Sequence, residues 1–396
     1  DHETADIDRD GKMDLIVLSR KSFSWYKNDG NPLDGGWSRT LISETELHDI
    51  EAGDFDGDGD IDVIGRNQSE WGHNGNILHF FEQTDPSHWI HTTRDCPHGE
   101  GLLAIDLDSD GKTDLATGNK WYKNPGTMEG AMWKDYTLST TWQQGNVFIG
   151  SGDINLDGRI DLVLSPSERV YNSYHISWFE HPVNPTDHWT EHILTDNVQC
   201  IFHFAGCADF DLDGNIDIVT AEMHHGTDPD EVIIYANKGK GTSWEKQVLW
   251  EGGSHSCRIF DCDKDGDLDF FGANYQGTEV NLWVNEAIRP QPLSLDKWYY
   301  IQIDSLRDQR DMGLVMVDLN GDGEKDIASG KWVYFNPGGD MSTSWKRKTL
   351  PINVDLLLAV NVDDDGHPDL IAENSTGQMF WLETSDAQGD DCITGK

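Results

Sequence analysis

The chain has 396 residues, with 29 Lys and Arg set against 72 Asp and Glu, for a formal net charge of −43. That balance excludes a nucleic-acid binder, which needs a basic footprint, and a protein that docks on an anionic membrane surface. Acidity this strong in a chain poor in aromatics would mean disorder, but 16 Trp, 14 Phe and 10 Tyr supply ample core, so the charge calls for bound cations.

No apolar run reaches the ~18 residues that a membrane-spanning helix requires. The sequence starts inside its own repeat pattern at Asp1-His2, and it is read as a mature or trimmed form. Six cysteines (Cys96, Cys200, Cys207, Cys257, Cys262, Cys392) have no zinc-site spacing and leave disulfides open. Metal loops of the kind described next suit a secreted protein, which is the expected location.

In chain order, one pattern recurs eight times: three acids at alternate positions, a Gly, and a closing acid at position nine. The first three copies are Asp6-Asp8-Asp10-Asp14, Asp54-Asp56-Asp58-Asp62 and Asp106-Asp108-Asp110-Asp114. The fourth is Asp153-Asn155-Asp157-Asp161, followed by Asp209-Asp211-Asp213-Asp217 and Asp261-Asp263-Asp265-Asp269. Asp318-Asn320-Asp322-Asp326 and Asn361-Asp363-Asp365-Asp369 complete the series. Alternate acids in a tight loop turn their oxygens toward one centre, and Ca²⁺ takes six to eight such oxygens. The Gly at position six supplies the positive φ of the turn. An EF-hand would close on Glu at position twelve between helices; here the closing acid opens a strand, as in Asp217-Ile-Val-Thr. Without metal, four clustered acids would repel one another. One Ca²⁺ per loop is therefore expected, in a structural role, which would cut the net charge to about −27.

The copies start 43 to 57 residues apart, the length of a four-stranded blade. Each repeat reads as a strand into the loop (Gly101-Leu-Leu-Ala-Ile-Asp106), a strand out of it (Asp114-Leu-Ala-Thr) and an aromatic third strand (Trp121-Tyr-Lys-Asn). A fourth strand usually opens on Trp, at Trp37, Trp89, Trp133, Trp189, Trp244, Trp298 and Trp345. These residues resemble the FG-GAP or VCBS-type calcium propellers, and the resemblance covers the whole chain. It implies an all-β fold: a single β-propeller domain over residues 1–396 with eight four-stranded blades, or seven if a terminal repeat is degenerate. The last repeat shows no clear fourth strand after Gln378-Met-Phe-Trp-Leu-Glu, unless the tail around Cys392 completes it.

With the repeats aligned, six residues before the first motif acid stand His48, Glu100, Val147, His203, His255, Met312 and Asp355. Three His and two acids at one register are not what a packing position provides. The exit of the second strand gives a further polar ring of Ser19, Asn67, Asn119, Pro166, Glu222, Asn274, Lys331 and Asn374, with Arg66 and Glu373 beside it. The two rings are expected to border one pocket, on the face opposite the metal loops. Nearby stand Trp71 and His73, Tyr171 and Tyr174, His224 and Tyr275, and aromatic faces beside polar groups suit sugar recognition.

The family resemblance extends to propeller polysaccharide lyases, including those cutting rhamnose–glucuronate linkages. It implies β-elimination on a uronic-acid glycan, which needs a base near neutrality, a group to neutralise the uronate and an acid for the leaving oxygen. His48, His203 or His255 would be the base. Arg66, Arg258 or Lys331 with the Asn ring would hold the carboxylate, and Tyr171, Tyr174 or a second His would be the acid. Two alternatives stand beside it: a glycoside hydrolase using Glu100, Glu222 and Asp355, and a glycan-binding lectin or adhesion module without catalysis. Pocket residues that differ from repeat to repeat favour one asymmetric site, hence an enzyme. The expected partner is an oligo- or polysaccharide, taken by a monomer.

Overall fold

The computed structural model describes residues 2–19, 21–30, 37–68, 75–168, 174–198, 201–223, 229–274, 280–288, 299–307, 313–350, 352–362, 367–374, 376–384 and 393–395. They form eight four-stranded antiparallel sheets, each a simple meander in chain order. Sheet 1 runs His2–Ala5, Asp14–Ser19, Ser22–Lys27 and Ser38–Ser43. Sheet 2 runs Asp49–Gly53, Asp62–Arg66, Ile77–Asp85 and His88–Asp95, and the remaining six follow the same plan. These are β-propeller blades, eight rather than seven. The tail supplies the missing strand of the last one, since Ile393–Gly395 pairs with Met379–Thr384. A single 3₁₀ turn, Gly130–Met132, is the one helical element among the described residues.

The chain divides into two compact units. One comprises Asp1–Asp29 with Trp37–Ala205, the other Gly30–Gly36 with Gly206–Lys396. In each, the second strands of the sheets are buried along nearly their whole length, as Asp14–Ser19 and Asp217–Glu222 are, third strands such as Ser22–Lys27 are buried through their middle, and fourth strands such as Ser38–Ser43 and Lys346–Thr349 have no buried residue. The core therefore lies as layers between successive sheets. In the first unit Ile16, Phe23 and Trp25 of sheet 1 pack on Ile50, Val63 and Phe81 of sheet 2. Ile64 and Phe80 then pack on Leu115, Tyr122 and Trp133. In the second unit Phe271 and Leu282 meet Ile327, Tyr334 and Trp345. Each such aromatic or aliphatic side chain contributes roughly 1.5–3 kcal/mol by burial.

The ninth acid of the motif ties each blade together. Asp14 accepts the Ile7 amide at 3.0 Å with one oxygen and the Asn28 amide at 2.7 Å with the other. The same pair of bonds recurs at Asp62, Asp114, Asp161, Asp217, Asp269, Asp326 and Asp369, always from the second motif residue and from the end of the third strand. The first acid accepts the amide of the position-six Gly, as Asp6 does from Gly11 at 2.9 Å. Position four is also left-handed, at Arg9, Ser109, Leu156, Leu212 and Lys264, a conformation that costs a non-Gly residue of order 1 kcal/mol. Gly57 and Gly321, at position four in two repeats, are the sequence sign of this second left-handed residue.

Cys96, Cys257 and Cys262 are free thiols. Cys200 and Cys392 lie outside the described residues.

Candidate functional site

Two kinds of site emerge. The first is the set of Asp loops. Carboxylate oxygens gather within 4.8 Å of one another in Asp6-Asp8-Asp10, Asp54-Asp56-Asp58, Asp106-Asp108-Asp114, Asp209-Asp211-Asp217 and Asp261-Asp263-Asp265. Asp363 and Asp365 of the last loop lie outside the described residues. The donor set fits a hard cation. One oxygen each of Asp8, Asp108, Asp209, Asp261 and Asp318 is buried with no hydrogen-bond partner. Burial pushes the ninth acid up, to about 6 at Asp14 and about 7 at Asp62, Asp114, Asp161, Asp217, Asp269 and Asp326, with neighbouring loop acids adding to it at most of them. Carboxylates disfavoured as anions in this way are what a bound cation would relieve.

The second site lies in the first unit, where three members of the predicted His and acid register converge. His203 Nε2 stands 3.9 Å from Glu100 Oε1. His48 Nδ1 is 3.0 Å from Asp49 Oδ1, and its charge acts on both Glu100 and His203. The backbone makes this meeting possible. Residues 99–101 run against 145–147 of the next sheet, joined by the Glu100–Asn146 bridge. A Cβ on Gly145 would sit 1.9 Å from the His98 carbonyl, and one on Gly101 would sit 2.1 Å from the Val147 carbonyl. Only glycines allow an approach this close. The bend is then gripped from sheet 2: Gly101 N donates to Asp49 Oδ2 at 3.0 Å, and Arg66 donates to the Gly99 carbonyl at 2.6 Å.

Glu100 is 2% exposed. Its Oε1 accepts the Ser167 hydroxyl, and its Oε2 is buried without a partner. Burial holds this carboxyl well above the usual carboxylate range, against the pull of His48 and with a further push from Asp49 and Glu168. His203 is displaced the other way. Burial, with the His48 charge, lowers it to about 4. Asp49 resists burial through His48 and the Gly101 amide and falls to about 2. His48 is raised: burial opposes its charge, but Asp49 and Glu100 outweigh that. Near neutrality the site thus holds an imidazolium–carboxylate pair beside an uncharged imidazole and a carboxyl that, at about 7, still keeps a share of its protons. Gln68 Nε2 bonds Glu168 Oε1 at 2.6 Å, and both residues are buried next to this group. Asp49, Gln68, Ser167 and Glu168 were missed from sequence. Each stands only one or two residues past a position in the two predicted rings.

Other predicted site residues are engaged within the fold. Arg66 is 1% exposed, and its guanidinium donates to the Thr117 hydroxyl and the carbonyls of Gly75, Pro97 and Gly99. Asn119 donates to the Ser139 and Trp142 carbonyls and accepts the Ser139 amide. Asn67 is buried and accepts the Gln68 amide. The Tyr174 hydroxyl accepts the amides of Gln143 and Gln144, and burial raises it.

In the second unit, His255 Nδ1 meets the Ser256 hydroxyl at 3.0 Å, and Glu222 is buried and accepts the Glu231 amide. Asn274 donates to the Gly252 carbonyl and exposed Arg258 to the Cys257 carbonyl. Lys331 lies over the Trp332 ring, and Asp355 accepts the Gly313 amide. Trp71, His73, Tyr171, His224, Tyr275 and Met312 lie outside the described residues.

Comparison with known proteins supports the architecture. The profile of the FG-GAP-like repeat matches residues 6–65 and 209–272. No curated protein sequence matches the chain. Among solved structures, rhamnogalacturonan lyase YesW aligns over 100% of this chain and 73% of its own, with 12% identity and a TM-score of 0.55. An Agrocybe aegerita lectin described as recognising non-reducing terminal N-acetylglucosamine aligns over 85% of this chain and 89% of its own, with 16% identity and a TM-score of 0.51. At such identities the likeness establishes the β-propeller fold.

Proposed function

We propose that the chain is a secreted carbohydrate-active propeller, a polysaccharide lyase acting on a uronic-acid glycan such as a rhamnose–glucuronate polymer, with Ca²⁺ in its Asp loops. The observation that carries the reading is the meeting of His48, Glu100 and His203, from three different repeats, in one group, with Glu100 buried and the two imidazoles partly exposed. The likeness in fold to a rhamnogalacturonan lyase and a lectin supports a glycan as partner. The His48 imidazolium, held by Asp49, neutralises the uronate carboxylate and so acidifies the adjacent C–H. Neutral His203 removes that proton. The C–H electrons become a carbon–carbon double bond, the neighbouring C–O bond breaks, and Glu100 gives its proton to the departing oxygen. Two uncharged groups become an imidazolium–carboxylate pair 3.9 Å apart. That pairing raises the basicity of His203 as Glu100 loses its proton. Calcium would hold the loops, with the first, third, fifth and ninth residues as its ligands, and would supply charge neutralisation there.

A hydrolase is the second reading, favoured by one feature: neutral Glu100 stands near ionised Asp49, two carboxyls whose environments push them apart. Incubation with uronate polysaccharides separates the readings. Ultraviolet absorbance from an unsaturated uronate product supports elimination. New reducing ends without that absorbance support hydrolysis, and glycan binding without turnover leaves a lectin.

A further inference from the structure

The eight Asp loops are not equivalent, and the difference lies in what faces them from outside the motif. In sheets 1, 3 and 5 a lysine at the end of the third strand reaches into the loop. Lys27 Nζ bonds Asp8 and lies 2.9 Å from Asp10. Lys123 Nζ bonds Asp108 and lies 2.8 Å from Asp110. Lys238 Nζ bonds Asp211 and lies 3.9 Å from Asp213. Each ammonium stands between the acids at motif positions three and five, where a bound cation would draw its oxygens.

In loops 2 and 6 no lysine stands between those two acids among the described residues; the cation at loop 2, Arg9, pairs with Asp60 at position seven instead. The residue aligned with Lys27 in sheet 2 is Glu82, whose carboxyl feels Asp56 and Asp58. In sheet 6 Asp267 adds a fifth acid. It is 0% exposed, one of its oxygens is buried without a partner, and Asp263 and Asp265 act on it. Asp261 has a second such oxygen in the same loop.

We infer that the loops form two classes of cation site: loops 2 and 6 are high-affinity sites, and loops 1, 3 and 5 are low-affinity sites filled only when a resident lysine is expelled. This rests on the proposal that the loops take calcium. An ammonium compensates the acids at no cost in ligand concentration, so the lysine loops keep their shape in low calcium. A divalent ion entering them must break two ion pairs and force the lysine into solvent. Partly exposed pairs of this kind are individually weak, which sets the penalty at about tenfold in affinity per loop.

Calcium titration of the chelator-treated full chain, followed by calorimetry, tests the inference. Two classes about tenfold apart are expected, and Lys27→Gln, Lys123→Gln and Lys238→Gln together should move three sites into the tighter class. Glu82→Gln should weaken one tight site. A second measurement uses the wild-type chain, with amine acetylation read by mass spectrometry. Calcium should raise labelling of Lys27, Lys123 and Lys238 several-fold and leave exposed Lys134 unchanged. One class of sites, with labelling of the three lysines unchanged or reduced by calcium, would overturn the inference while leaving calcium binding intact. No calcium binding by either method would remove the calcium reading itself.

Discussion

His203 Nε2 and Glu100 Oε1 lie 3.9 Å apart, and burial pushes both toward their uncharged forms. This fixes the pH dependence expected of the elimination. His203 works unprotonated, so activity rises as pH climbs through about 4. Glu100 works protonated, so activity falls as pH passes its raised value. The profile of kcat/KM should be a bell on the acid side of neutrality. His203→Gln and Glu100→Gln should each lower kcat by about 10²–10⁴ without a loss of melting temperature. The His48 charge pulls Glu100 down, so His48→Gln should move the alkaline limb upward by about one pH unit and raise KM for a charged substrate. A limb that stays in place would separate His48 from the site.

Asp49 makes the site acid-sensitive. Burial opposes its ionisation, but His48 and the Gly101 amide hold it at about 2, below the usual carboxylate range. A lowered value in the folded state means that the stabilisation is fully present above the unfolded carboxylate value near 4 and is lost as pH falls toward 2. Asp49→Asn should therefore cost about 2 kcal/mol at neutral pH and flatten the stability curve between pH 4 and 2. Urea unfolding at a series of pH values checks it.

Arg66 positions the segment that carries Glu100. Its guanidinium donates to four acceptors from 75 to 117, the Gly99 carbonyl among them. Arg66→Ala leaves these buried acceptors without a donor and should cost about 3–5 kcal/mol. Arg66→Lys keeps the charge but not the fork, so it should lower kcat through a displaced Glu100 and leave KM for charged and neutral glycans in the same ratio. A selective loss of uronate binding would instead make Arg66 a substrate ligand.

The difference between these roles shows what the sequence could carry. The Asp loops, the meander order and the register that brought His48, Glu100 and His203 together follow from counting back along a repeat, because every blade is laid out by the same acid-to-amide bonds. Arg66 and Asn119 stand on the same rings and are tied up by hydrogen bonds within the fold. Their hydrogen-bond partners, Pro97 and Gly99 for one and Ser139 and Trp142 for the other, come from turns whose path no periodicity encodes. Asp49 was passed over although it adjoins His48, because a neighbour in a strand is expected to point to the other face. The loss of side-chain alternation at a strand end, where glycine contacts such as Gly145 on His98 bring two sheets together, has no sequence signal beyond the glycine itself.

Within one loop, the closing acid and the middle acids do different work, and loop 2 separates them. Asp62 is 1% exposed and accepts the Phe55 amide at 3.3 Å and the Gln83 amide at 3.0 Å, so it joins three parts of the blade whether or not an ion is bound. Asp62→Asn turns an NH₂ group toward one of those amides and should cost about 2 kcal/mol even in chelator, with the loss of a calcium ligand added to that in calcium. Asp58 accepts the Asp60 amide at 2.8 Å, which an Asn oxygen would still do. Asp58→Asn therefore removes charge from the loop and little else. Its melting temperature should fall below wild type in calcium and match it in chelator, because an ion that binds only the folded loop stabilises in proportion to its affinity. Scanning calorimetry of both variants, with and without chelator, provides the test. If Asp58→Asn lowers the melting temperature equally in both conditions, then the middle acids too are staples and calcium is not their partner.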